Sequence, residues 1–326
     1  MDPNLQYWQS NGQSFLSRLR LWFKILDPSS VLSSQAEIEQ ARTLLQNEGL
    51  TQRKEKVVCL IYLSSVHPDT GGVISPLFRS QVFLPISAPL VVASLLPHKG
   101  IKPALFWQFL LQTYCAGFNH ANRNATATTV NNITIIIIQS NVILMNVLLG
   151  NTKNELSINI LSFQALPQLI LKRFRLIGAV AETFSRSLLP VPLSACLAGF
   201  SVMVVRSEEA DNGIRVFDSN GNAIGVSKAA GSKAIKETAL SRAALFGTTA
   251  AVPTLLLALL KRAKFVQRNP MIIAPVRHIS TAIIFGLMIP VSFSLFPQFG
   301  KIKKESLEEE FQSLDSNGEL FYHRGL

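Results

Sequence analysis

Gln108, Gln112, Cys115, Asn119 and Asn122 recur at spacings of 4, 3, 4 and 3 residues. At 100° per residue they form one narrow stripe on a helix over 103–124, with Phe106, Leu110, Thr113 and Gly117 opposite. Primary amides donate and accept hydrogen bonds without carrying charge. Turned toward hydrocarbon they would be left unsatisfied at about several kcal/mol each, so they must face other helices or a wet cavity. Two readings stay open: a neutral lining that hydrogen-bonds a small polar solute, or polar glue between helices. A second stripe, Asn132, Gln139 and Asn146, repeats every seven residues and would match the first across a path.

The elements that would hold these stripes are those of a membrane. Of the 326 residues, 48% are hydrophobic and 16% charged, where a soluble domain carries nearer a quarter charged. Charge is absent from 82–97, 133–150, 188–205, 243–260 and 279–300. About 20 residues cross a hydrocarbon core of about 30 Å. These runs predict an all-α membrane protein with about five spans, an amphipathic polar-striped helix, and a small polar hairpin loop.

The net charge of +11 raises nucleic-acid binding as an alternative. Yet the cations sit in blocks beside the spans (Lys172, Arg173, Arg175; Lys261, Arg262, Lys264, Arg268, Arg277), where they meet anionic headgroups. The partner implied is the lipid bilayer and not nucleic acid. Cys59, Cys115 and Cys196 form no CxxC, and the five histidines show no metal-ligand spacing, so neither a metal nor a cofactor is expected. No phosphate-binding or nucleophile-elbow motif points to an enzyme.

Along the chain, 1–80 reads as a polar amino-terminal region, 81–300 as the membrane domain and 301–326 as a polar carboxy-terminal tail. Phe15–Leu26 is basic and amphipathic, suited either to a membrane surface or to packing on the rest of the protein. Ser34 with Glu37 makes a capping box. His67-Pro68-Asp69-Thr70-Gly71-Gly72 must turn the chain. In the polar loop 206–242, Ile214, Val216 and Ile224, Val226 flank Asn220-Gly221, the signature of a hairpin. Ser306 and Glu309 suggest a second capping box, with Leu307, Phe311 and Leu314 on one face. Asn124-Ala125-Thr126 and Asn132-Ile133-Thr134 match a glycosylation sequon. Glu182 and Arg186, one turn apart, form an interfacial pair or a charged group in a path. Pro253 and Pro290, inside spans four and five, either kink their helices or break them and expose backbone groups.

The run His67–Gly71 resembles the HPDTGE motif of the sideroflexins, a family of mitochondrial inner-membrane proteins. In order follow Phe106-Trp107-Gln108; Gln112 with Tyr114, Asn119 and Asn122-Arg123; Thr129-Val130-Asn131; Gly213-Ile214 with Asn220-Gly221-Asn222; Ser241-Arg242; Phe296-Pro297-Gln298; and Gly325-Leu326. With Asp27-Pro28, the resemblance runs from about residue 15 to the end.

It implies a multi-pass carrier of serine or another small neutral amino acid. Three positions depart from the family pattern. Gly72 replaces the Glu of the motif, and Leu111 and Cys115 stand where the family has Asn. These departures resemble the most divergent vertebrate branch. That branch implies a role in respiratory complex I assembly and iron–sulfur and iron homeostasis, with assembly intermediates as partners. The expectation is a chain that carries serine poorly, with its amino terminus in the matrix. The loop 206–242 and the tail 305–315 are its expected docking surfaces.

Overall fold

A computed structural model describes residues 7–8, 12, 14–28, 33–46, 52–95, 101–124, 190–219, 221–262, 264–312 and 319–326. Three helices precede the apolar part: α1 (Phe15–Ile25), α2 (Gln35–Gln46) and α3 (Gln52–Ser65). The apolar helices are α4 (Ser80–Leu95), α5 (Ile101–Ala121) and α6 (Pro190–Val205). Then come the short α7 (Ser207–Asn212), a hairpin of β1 (Ile214–Phe217) and β2 (Ala223–Ser227), and α8 (Lys228–Leu260). The chain ends with α9 (Lys264–Arg268), α10 (Ile273–Ser294), β3 (Phe299–Lys303), α11 (Glu309–Gln312) and β4 (Glu319–His323).

Two helices, α8 and α10, are long and apolar enough to cross a membrane. The expected spans at 82–97 and 188–205 appear as the apolar helices α4 and α6, each 16 residues, about 24 Å at 1.5 Å per residue. The span expected at 133–150 lies outside the described residues, as do Glu182 and Arg186. Outward faces fit lipid rather than water. Leu255 and Leu259 on α8, and Ile279, Ile283 and Leu287 on α10, are exposed one turn apart in continuous stripes. Inward, α6 meets α8 through small residues: a Cβ on Gly247 would stand 3.2 Å from Ala195 Cβ. Ser292 Oγ on α10 donates to the Ser241 carbonyl on α8 at 2.7 Å.

The polar part departs from expectation. The hairpin turn is held by Asp218, whose Oδ1 accepts the Asn222 N–H at 2.8 Å, with Gly221 at φ +80°. The hairpin is half of a four-stranded antiparallel sheet in the order β2-β1-β4-β3. The expected all-helical fold holds, with this small sheet added to the hairpin. The tail packs onto this sheet and onto α8. Ile302, Leu307, Phe311, Leu320 and Tyr322 pack with Ile214 and Val216 on the first turns of α8. Burying this apolar set is what draws the tail in. The box expected from Ser306 and Glu309 is replaced by a longer-range cap. Glu308 Oε1 accepts from the Lys228 and Ala229 N–H groups at 2.8 and 3.0 Å, while Ser227 Oγ accepts from Ala230. Burial works against the Glu308 charge, but these bonds and one from Ser227 hold its pKa below the usual carboxylate value.

The amino-terminal region is docked rather than separate. The Ser34–Glu37 box is formed. Helix α1 buries Leu21, Trp22 and Ile25, and Trp22 meets the Phe293 ring edge-on at 5.0 Å. Arg18 Nε donates to the Ser294 carbonyl at 2.9 Å, closing the carboxy-terminal end of α10. Of the two readings of Phe15–Leu26, packing on the protein is the one observed.

One buried polar knot ties these parts together. Arg206 Nε and Nη2 donate to both oxygens of Glu209 at 2.6 and 2.8 Å. Arg206 Nη1 reaches Thr238 Oγ1 on α8 at 2.9 Å, and Nη2 also reaches the Arg324 carbonyl at 2.6 Å. Glu209 in turn accepts from the Asn124 backbone N–H and from Asn124 Nδ2, both at 3.1 Å. Asn124 Nδ2 donates also to the His323 carbonyl at 2.9 Å. Asn124 is therefore buried with its Nδ2 occupied, whereas the rest of its sequon and Asn132 lie outside the described residues.

Two expectations follow. A Cβ on Gly231 would stand 1.9 Å from the Glu209 carbonyl oxygen, backbone that cannot yield without moving α7. Gly231→Ala should destabilise the protein by about 3 kcal/mol or more, seen as a lowered melting transition in detergent or nanodiscs. His323 is buried, and burial, with the charges of His67, Arg324 and Arg206, pushes its pKa down to about 3. An unfolded histidine titrates near ~6.5. Above that value both states are neutral; below it only the unfolded chain takes up the proton. Stability should therefore fall by up to about 1.4 kcal/mol per unit as pH drops below ~6.5. Melting measured from pH 7.5 to 5 should show the loss, and His323→Gln should flatten it.

Candidate functional site

The amide stripe divides when its surroundings are examined. Asn122 is spent on structure: its Nδ2 donates to the Phe78 and Phe118 carbonyls at 2.9 Å each. Gln112 is half-buried on α5. Asn119 is 4% exposed, and its Oδ1 has no hydrogen-bond partner. Gln108 lies on α5, but its side chain falls outside the described residues, and so do Asn132, Gln139 and Asn146 entirely. Among the described residues, Asn119 is the member of the stripe left with an unmet buried acceptor.

The motif His67, Pro68, Asp69, Thr70 and Gly71 is a turn that joins α3 to the run before α4. Gly71 takes φ +65°, which a side chain would strain. Its N–H donates to the His67 carbonyl, and the His67 N–H to the Gly72 carbonyl, both at 2.9 Å. His67 Nδ1 accepts the Asp69 and Thr70 N–H groups at 3.2 and 3.4 Å. An acceptor Nδ1 leaves the proton on Nε2, which donates to the Arg123 carbonyl at 2.6 Å. The motif thus pins the end of α5 rather than lining a path. Pro253 and Pro290 do not break their helices, which run on as Lys228–Leu260 and Ile273–Ser294. Nearby hydroxyls bond the same helical carbonyls: Thr254 Oγ1 to Ala250, and Ser294 Oγ to Pro290.

The residue that sequence reasoning did not single out as functional is Arg242. It opens the apolar half of α8 and is 3% exposed. Its guanidinium carbon lies 4.4 Å from the Phe293 ring centroid, 5.6 Å from that of Phe83 and 5.7 Å from that of Phe118. Neither Nη1 nor Nη2 has a hydrogen-bond partner. The available signal was its isolation: between Glu237 and Glu305 the sequence holds no carboxylate. Leu111 and Cys115, 5% and 9% exposed, belong to the same core as Phe83, Phe118, Phe285 and Phe293. Cys115, Phe118 and Asn119 follow one another around one side of α5, so its unpaired amide lies beside the ring that meets Arg242. The site is one fixed cation and one free carbonyl acceptor in a largely apolar setting. Among the described residues no group of histidine, cysteine, aspartate and glutamate is placed to hold a metal ion.

The family profile described as Sideroflexins matches residues 2–326. The chain is 66% identical to Sideroflexin-4 of Danio rerio over the whole of both chains. It is 35% identical to Sideroflexin-4 of Homo sapiens, covering all of this chain and 93% of that one. It is 30% identical to Sideroflexin-5 of Homo sapiens, over 96% of this chain and 90% of the other. No solved structure matches it. With a profile match along almost its full length and relatives this similar, the chain belongs to the sideroflexin family.

Proposed function

We propose that this chain works in the mitochondrial inner membrane as a non-enzymatic sideroflexin whose solute path no longer suits serine. The observation that carries the reading is the burial of Leu111 and Cys115 among Phe83, Phe118 and Phe293. Resemblance to the family places asparagines at those two positions. Serine leaving water needs its ammonium, carboxylate and hydroxyl all satisfied. Leu offers no hydrogen bond, and Cys only weak ones. A site built to hydrogen-bond a hydroxyl discriminates strongly once the partners are gone.

In this reading the protein serves the assembly of respiratory complex I, with assembly intermediates as partners and consequences for iron–sulfur and iron homeostasis. The sheet β2-β1-β4-β3, placed at the polar end of α8, offers the surface for such partners. The topology is five spans with the amino terminus in the matrix. The second reading, an active carrier of another small neutral amino acid, draws on the unpaired Asn119 Oδ1 and Arg242 guanidinium.

Expressed in cells lacking the serine-carrying sideroflexins, the chain should fail to restore serine-dependent growth, and full restoration would refute the reading. Its depletion should lower assembled complex I on native gels while mitochondrial serine uptake stays unchanged. In mitoplasts with a tag at each end, added protease should remove the carboxy-terminal tag and spare the amino-terminal one. Loss of both from the same side would exclude an odd number of spans.

A further inference from the structure

We propose that Arg242 is the anchoring cation of a binding site for a small carboxylate, seated where α5, α8 and α10 meet. The inference rests on the reading of the chain as a membrane carrier architecture, and not on its incompetence for serine.

Other buried arginines show what Arg242 lacks. Arg206 is matched oxygen for nitrogen by Glu209. Arg123 pairs with Glu208 at 2.7 Å, and the Arg18 guanidinium spends Nε on a helix-end carbonyl. Arg324 has no partner on Nε or Nη1 among the described residues, but it keeps Nη2 on the Phe293 carbonyl and Gln298 Oε1, at 3.1 and 3.3 Å, whereas both terminal nitrogens of Arg242 are bare. Arg242 Nη1 and Nη2 have nothing, although the residue is 3% exposed. Burying a charge without a partner is strongly unfavourable.

The three phenyl rings offset part of that through cation–π attraction. Such attraction engages a guanidinium through its electron-poor surface and leaves N–H hydrogens unbonded. The two terminal nitrogens form a fork with the spacing of a carboxylate's oxygens. The described helices that flank Arg242 supply no such group, since residues 80–95, 101–124 and 238–304 contain neither Asp nor Glu. The missing partner is an anion that arrives from outside.

The surroundings set what the anion carries. Phe83, Phe118 and Phe293 give it apolar neighbours, and Cys115 adds only a weak hydrogen-bonding group. A hydroxylated or doubly charged solute would strand polar groups there. Asn119 Oδ1 is an unmet acceptor, suited to one N–H donor such as an ammonium. The ligand class is a small monocarboxylate with an apolar remainder. It comes either as an α-amino acid, whose ammonium meets Asn119, or as a simple organic acid.

The test uses the purified full-length protein in nanodiscs, with titration calorimetry and thermal shift against alanine, propionate, serine and alaninamide. Alanine or propionate should bind, and alaninamide, which lacks the carboxylate, should not. Arg242→Gln should weaken binding by about 30-fold or more, while Arg242→Lys, which keeps charge but loses the fork, should recover part of it. Removing an unpaired buried charge should leave the empty Arg242→Gln protein as stable as the parent or more so. Should that variant fail to fold, the lysine variant carries the test, with binding equal to the parent as the overturning result. Asn119→Leu should weaken alanine and leave propionate unchanged if the ligand is an amino acid. Equal binding by Arg242→Gln, or no binding of either acid by the parent, would overturn the proposal, the latter in favour of a counter-ion from the chain itself. Serine bound as tightly as alanine, with Arg242 still required, would sink both the serine reading and the apolar limit on the ligand, and leave Arg242 standing as the carboxylate anchor.

Discussion

The ion pair of Arg206 and Glu209 is the constraint on which the rest of the molecule depends. It is fully buried, a setting in which desolvation can exceed Coulombic gain unless every remaining donor and acceptor is met. Here they are met by three separate stretches of chain: Asn124 after α5, Thr238 on α8, and the Arg324 carbonyl near the chain's end, with Asn124 also bonding the neighbouring His323 carbonyl. Losing either partner would leave the other charge buried and alone, at about 3–5 kcal/mol. The pair therefore acts less as a source of stability than as a specification. The membrane helices, the hairpin and the returning tail can meet in this arrangement and in few others.

That specification gives many residues shared with the family pattern a structural task. Asn122 and Arg123 end α5, and His67 Nε2 holds the Arg123 carbonyl. Gln298 Nε2 donates to the Gly325 carbonyl at 2.8 Å, and the Leu326 N–H donates to the Asn122 carbonyl at 3.1 Å. Gly325 takes φ +73°, and a side chain there would meet Arg206 Nη2 at 2.7 Å. The resemblance found in the sequence thus picked out the right residues, while their shared work, closing one knot, was invisible to it.

What was legible in the sequence was local. The Ser34–Glu37 cap, the turn at Gly71, and the apolar runs that became α4, α6, α8 and α10 each rest on contacts within a few residues. What was not legible depends on distance along the chain. Phe299–Lys303 and Glu319–His323 are five residues each, too short to declare themselves as strands until they pair with each other and, through β4, with β1. Glu308 caps a helix that begins 80 residues earlier, while the local Ser306–Glu309 pattern offered a plausible wrong answer. At the candidate site the periodicity of the amides pointed to α5 and to Asn119, whose buried Oδ1 is unmet. It could not show that Asn122 is consumed by carbonyls, nor that the charge beside the stripe comes from α8.

Helix α8 is where structure and site are joined. It has 33 residues, about 50 Å at 1.5 Å per residue, more than a hydrocarbon core needs. Its first turns carry the sheet, with Tyr322 Oη donating to Glu237 at 2.9 Å. The next residue, Thr238, takes the Arg206 bond, and one turn further lies Arg242. Leu255 and Leu259 then face outward at the other end. Thr238 and Arg242 are four residues apart on one continuous helix and cannot move independently. Phe293 closes the loop, its ring on Arg242 and its carbonyl on Arg324, which begins the final segment of the knot. Two buried arginines, one bonded to Thr238 and the other a turn beyond it on α8, thus meet opposite fates. Arg206 is fixed by the chain's own carboxylate and holds the fold, whereas Arg242 keeps its charge among rings with no carboxylate of its own helices in reach. A cation retained under those terms is costly for folding alone, and that cost is the physical reason to look for its counterpart outside the chain.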